Sequence, residues 1–141
     1  MYTSTTQARV RYAETDQMGI VYYGNYAQYF EIGRVESMRQ LGYSYKEMEK
    51  EGVILPVVEM HIKYLRSAVY DDLLTIKTTL QELPHNHRIT FLQEVFNEAG
   101  KLLTSGHVVL YFLDNVTRRR ALMPKALKDK LAPYFNLEQG A

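Results

Sequence analysis

The chain has 141 residues, of which 46% are hydrophobic and 23% charged, and its formal net charge is +1. That length suits one compact domain burying roughly two-thirds of its unfolded surface, and the balanced charge gives no electrostatic reason to expect nucleic acid or a membrane surface as partner. The absence of cysteine excludes disulfides, thiolate metal sites and a cysteine nucleophile.

The opening "MYTSTTQARV" lacks the apolar core of a signal peptide. No later run is apolar enough to span a bilayer, so the expected location is the cytoplasm. Residues 7–14, "QARVRYAE", read as a first strand with Val10 and Tyr12 on one face. A turn from Asp16 to Gly24 follows. Residues 25–41, "NYAQYFEIGRVESMRQL", have helical spacing, with Asn25 placed to cap the start and Gly42 to stop the end. Tyr26, Tyr29, Phe30, Ile32, Gly33, Val35 and Met38 make this helix apolar over much of its circumference. Such a helix is surrounded by protein rather than laid on a surface. Ser44 and Glu47 form a capping box that opens a short second helix over residues 44–52.

The period then changes to two. Val58, Met60, Ile62 and Tyr64 alternate with polar residues, and Leu74, Ile76, Thr78 and Leu80 repeat the pattern. Strands are also expected around 87–97 and 102–113, separated by the turn "NEAGK". "HVVLYFL" is too continuously apolar for an exposed strand and predicts a place in the sheet centre. "MPKALKDKLAP" reads as a closing helix between Pro124 and Pro133. One buried helix followed by a run of strands predicts an α+β domain with a curved antiparallel sheet of about five strands.

Most common chemistries leave no trace. There is no G-x-S-x-G elbow, P-loop or G-x-G-x-x-G fingerprint. "HNH" at 85–87 reads as a polar hairpin tip rather than a metal site. His61 and His107 are read as ordinary strand residues, and Arg118, Arg119 and Arg120 as a solvated loop. No cofactor or metal is called for.

Asp16 is the candidate that survives. Its ordinary reading is an Asx-turn, because aspartate before a glycine-containing turn commonly binds its own backbone. Two features favour chemistry. The helix beginning near Gly24 offers unpaired N–H groups and the positive end of its dipole to a developing oxyanion. The intervening "GIVYYG" is apolar and aromatic, which suits a dry pocket.

The stretch "RVRYAETDQMGIVYYGNY", residues 9–26, resembles the active-site signature of the 4-hydroxybenzoyl-CoA thioesterase family of hotdog-fold proteins. The matching positions are Arg9-Val10, Thr15-Asp16, Gly19-Ile20-Val21-Tyr22 and Tyr26, and "YDDLL" at 70–74 extends the match. The resemblance implies a hotdog fold over residues 1–141, with the long helix wrapped by the sheet. It implies hydrolysis of an acyl-CoA thioester by a homodimer or homotetramer, with sites at subunit interfaces. An acyl carrier protein would be a conceivable further partner, since it shares the thioester arm of coenzyme A. Asp16 would be nucleophile or general base, and the Tyr23 backbone N–H would polarise the carbonyl. Gly24 would admit the substrate closely, Tyr26 would wall the acyl group, and Arg88 would meet coenzyme A phosphates, with Lys63, Arg66 and His87 as further candidates.

Gln17 and Met18 depart from the small residues or proline that many relatives carry after the acid, and Tyr23 stands where many have histidine. Some hotdog thioesterases take their carboxylate from the central helix, for which Glu31 is the candidate. Glu31 is expected instead to pair with Arg34. A hotdog dehydratase would need a histidine, and none occurs before residue 61. The alternative from another class is a non-catalytic acyl-CoA-binding or sensing module.

Overall fold

A computed structural model describes residues 1–135. The chain begins with strand β1 (Tyr2–Arg9), and two short 3-10 turns, Tyr12–Glu14 and Tyr23–Asn25, lead into helix α1 (Tyr26–Leu41). Helix α2 (Tyr45–Lys50) comes next, then strands β2 (Val53–Ile54), β3 (Val57–Tyr64), β4 (Leu73–Leu80), β5 (Arg88–Phe96), β6 (Leu102–Tyr111) and β7 (Leu113–Asp114), and helix α3 (Lys125–Leu131). The main sheet is antiparallel, with strand order β1-β4-β5-β6-β3, and β2 pairs separately with β7. This is the expected α+β hotdog architecture.

Strand β1 lies earlier than the predicted 7–14. Its eight residues pair with β4 from Tyr2 opposite Leu80 to Arg9 opposite Leu73. The run "TSTTQ" hides this strand from an apolar count, because Ser4 takes a buried position that a hydrophobic residue would normally mark. Threonine is nonetheless a good strand former. Beyond β1 the chain turns, so Val10 is fully buried while Tyr12 is 77% exposed, contrary to the shared face expected for them.

Helix α1 packs across β1, β4 and β5. Tyr29, Phe30 and Met38 are buried in the core beneath it, each worth about 1.5–3 kcal/mol of apolar burial. Gly33 lets the helix sit low on the sheet: a Cβ there would lie 2.6 Å from Ile76 Cγ2 and 2.7 Å from both Gln93 Nε2 and Thr78 Oγ1. Arg34 and Ser37 are buried beside these residues, whereas Ile32 and Val35 are only half-buried. Arg34 donates to Gln93 Oε1 at 3.1 Å, and Gln93 Nε2 donates to the Phe30 carbonyl and to Thr78 Oγ1. The expected Glu31–Arg34 ion pair does not form among the described residues.

The helix ends as expected at Gly42, whose φ of 94° is left-handed. Its start differs. Asn25 does not cap the helix with its side chain, because Nδ2 donates instead to the Glu14 carbonyl at 2.8 Å. The Ser44–Glu47 capping box is present at the start of α2. Leu74, Ile76, Thr78 and Leu80 all point into the core, as their alternation predicts.

Strand β3 is one of the two edges of the sheet, opposite β1, and only Met60 and Ile62 of its expected inward set are partly buried; Val58 and Tyr64 are 47% and 45% exposed. "HVVLYFL" lies mostly on β6, an interior strand between β5 and β3, while β5 holds the middle of the sheet.

Candidate active site

Asp16 sits in a tight loop closed by a bridge between Thr15 and Val21. Its N–H donates to the Ile20 carbonyl at 2.8 Å, and Gly19, with φ of 81°, returns its own N–H to the Asp16 carbonyl. Asp16 Oδ1 accepts from Met18 N–H at 2.9 Å, so the Asx-turn exists. That contact occupies one carboxylate oxygen and leaves lone pairs on the other. The side chain is half-buried and borders a cleft of about 220 Å³, which it shares with Met18, Tyr23, Tyr26, Tyr64 and Arg66.

One wall of the cleft is the beginning of α1. Tyr22 N–H donates to the Glu14 carbonyl at 3.0 Å, and Asn25 N–H donates to the Tyr22 carbonyl at 2.9 Å. Between them, the N–H groups of Tyr23 and Gly24 open the helical segment and have no acceptor among the described residues. These are the orphan donors of a helix start, with the positive end of the dipole behind them.

The facing wall is the segment after β3. Ala68 joins it to the helix, since its carbonyl accepts from Val21 N–H at 2.9 Å and its N–H donates to Tyr26 Oη at 3.2 Å. Tyr26 is buried, and its ring meets those of Tyr64 and Tyr29 edge-on, both at 5.5 Å. Burial pushes the Tyr26 and Tyr64 hydroxyls above their ordinary range. Both therefore stay protonated at neutral pH and act as hydrogen-bonding groups rather than bases.

Behind the loop stands Glu14, which the sequence reading passed over. Only 7% exposed, its carboxylate accepts from the Tyr29 hydroxyl at 2.7 Å, from Arg11 N–H at 3.0 Å and from Arg11 Nε–H at 3.1 Å. Burial alone would raise its pKa, but the bonds from the Arg11 amide, Tyr29 and the Arg11 side chain outweigh it and hold the carboxyl below its ordinary value. Only the Arg11–Glu14 spacing could have hinted at this.

The other candidates divide. Arg66 borders the Asp16 cleft, whereas Arg88 lines a separate cleft of about 260 Å³ at the β4–β5 hairpin. Lys63 is exposed on β3, and His87 packs its ring against Tyr111 at 4.6 Å. At Gly24 a Cβ would come within 2.9 Å of the Tyr22 ring, so the missing side chain makes room for that ring. Glu31 is exposed on α1 and does not border the cleft.

Comparison with known proteins agrees with this architecture. A family model described as "Thioesterase-like superfamily" matches residues 10–131. The chain is 38% identical over 111 residues to YneP of Bacillus subtilis strain 168, covering 77% of this chain and 80% of that one. It is 30% identical over 121 residues to the "Acyl-CoA thioesterase YbgC" of Haemophilus influenzae, covering 85% and 88%. Among solved structures it resembles a DHNA-CoA thioesterase from Staphylococcus aureus, with 34% identity, a TM-score of 0.88 and coverage of 99% and 93%. The chain belongs to the Thioesterase-like superfamily.

Proposed function

We propose that the protein hydrolyses acyl-CoA thioesters, with Asp16 as nucleophile or as general base to a water. The observation that carries this reading is the shared cleft: it brings the Asp16 carboxylate to the start of α1, where the Tyr23 and Gly24 amides have no acceptor among the described residues. A thioester carbonyl placed there would turn its oxygen toward those amides. As negative charge develops on that oxygen, the fixed donors stabilise it; removal of one such donor in other enzymes costs on the order of 3 kcal/mol.

Two routes balance. Asp16 could add to the carbonyl carbon, expelling the thiolate and leaving an acyl-aspartyl anhydride that water then cleaves. Alternatively, Asp16 could take a proton from water while the hydroxide adds, and the thiolate leaves. A thiolate is a stable leaving group that departs without strong acid assistance, so the absence of a histidine from the cleft lining is no obstacle. Tyr26 forms the floor under the acyl group, and Arg66 is placed for a phosphate of coenzyme A.

The active unit is a homodimer or an assembly of dimers. Strand β3 presents an edge of eight residues with Val57, Val58 and Tyr64 exposed along it and Leu65 exposed just beyond it. Such an edge invites pairing with a second copy, which would extend the sheet and wall the open side of the cleft. Thiol release from acetyl-, palmitoyl- and benzoyl-CoA tests the chemistry, and light scattering on the same sample tests the assembly. Release from at least one thioester is expected; binding without release from any would mark a sensing module instead.

A further inference from the structure

Asp16 reaches the cleft from a short loop, and a carboxylate there is only as well aimed as the loop that carries it. The anchor of that loop lies two residues back. Glu14 Oε1 accepts from the Tyr29 hydroxyl and from Arg11 N–H, and Oε2 accepts from Arg11 Nε–H. Its main-chain carbonyl accepts from Tyr22 N–H at 3.0 Å and from Asn25 Nδ2 at 2.8 Å. The partners lie on both sides of Asp16 in sequence. Tyr22 and Asn25 flank the two acceptor-free amides of Tyr23 and Gly24, and Tyr29 lies one turn further along α1.

Packing alone does not account for an acid at this position. A buried carboxylate must be desolvated, and an apolar side chain could fill similar space without that cost. The carboxylate adds direction, because its bonds tie Tyr29 of α1 to Arg11 ahead of the loop, while the main-chain carbonyl separately holds Tyr22 and Asn25. A reacting group displaced by about 1 Å can lose on the order of a hundredfold in rate.

We propose that Glu14 is a positioning residue for thioester hydrolysis, locking the loop of Asp16 to the first turn of α1 so that the carboxylate and the Tyr23 and Gly24 amides keep one separation. The inference rests on the reading that Asp16 and the helix start form the reaction centre.

The test compares wild type with Glu14→Gln, Tyr29→Phe, their double variant and Asp16→Asn, using whichever of acetyl-, palmitoyl- and benzoyl-CoA wild type cleaves best. Binding of the same thioester is measured on Asp16→Asn protein with and without Glu14→Gln, and circular dichroism establishes that each variant is folded at the assay temperature. Expected are a kcat reduced about 10- to 100-fold in Glu14→Gln, a smaller loss in Tyr29→Phe, and a double variant no worse than Glu14→Gln alone. The dissociation constant should change less than about twofold, because positioning acts on the reaction and not on ground-state binding. Wild-type kcat in both single variants overturns the proposal while leaving the reaction centre intact. So does a loss of binding that parallels the loss of kcat, which is the mark of a general structural role. Full activity in Asp16→Asn instead overturns the underlying reading, and the proposal with it.

Discussion

The Tyr64 hydroxyl donates to the Tyr23 carbonyl oxygen at 3.0 Å, tying the last residue of the exposed edge strand to the first turn of the helical segment. The same peptide region supplies the free Tyr23 amide, so the edge strand and the candidate oxyanion site are mechanically joined. Tyr64→Phe keeps the ring contacts with Tyr23 and Tyr26 and deletes only this bond. We predict a several-fold fall in kcat with a stability change of about 1 kcal/mol or less. Steady-state kinetics beside a thermal melt check it; an unchanged kcat would remove Tyr64 from the account.

Gly106 governs the other attachment of the edge strand. A Cβ there would lie 2.0 Å from the His61 carbonyl oxygen, and that neighbour is backbone, which cannot rotate aside. Gly106→Ala should force β3 away from β6 and cost about 1–3 kcal/mol. Urea unfolding measures the loss. If β3 is the dimer edge, light scattering should also show a shift toward monomer; a fully stable variant would mean that the two strands separate more easily than their register implies.

Arg66 borders the Asp16 cleft while Arg88 does not. Arg66→Ala should therefore raise KM for acyl-CoA several-fold and leave kcat near wild type, because a contact to a phosphate, whose charge does not change as the carbonyl reacts, binds substrate and transition state alike. Arg88→Ala serves as the comparison. A larger KM effect from Arg88 would indicate that its cleft reaches the substrate by way of a second copy.

The Glu14 carboxyl also predicts a pH signature. Its folded pKa lies below the ordinary 4.5, so the unfolded chain takes up a proton first as the pH falls. The stability Glu14 contributes is fully present above about pH 5, and is lost as pH drops through the folded value. The stability gap between wild type and Glu14→Gln should be constant near neutrality and narrow below about pH 4.5. Urea titrations across that range measure it, and a gap that widens toward acid would contradict the hydrogen-bond scheme.

Much of this architecture is legible where a local rule operates alone. The alternation in β4, the Ser44–Glu47 box and the stop at Gly42 each follow from one short-range preference. Strand β1 is less legible because its pairing with β4 is long-range and its buried Ser4 carries no apolar mark. Val58 and Tyr64 have the alternation of a half-buried strand, yet they are exposed because β3 is an edge and nothing among the described residues covers them. At the site, the loop of Asp16 and the helix start are adjacent in sequence, so their shared cleft could be anticipated. The distribution of Arg66 and Arg88 between two clefts depends on how the sheet curls, which no spacing records. Glu14 escaped notice because its partners Arg11 and Tyr29 matter only once the chain has folded back on itself.

Turnover and binding of one acyl-CoA by wild type and Asp16→Asn, measured on the same preparations, test whether Asp16 is the reacting group. The asparagine protein is expected to bind the thioester within a few-fold of wild type and to lose kcat by roughly two to three orders of magnitude, the scale on which a reacting group acts. An Asp16→Asn protein that still releases thiol at the wild-type rate would contradict that role, and the Asx-turn would then be all that the carboxylate does.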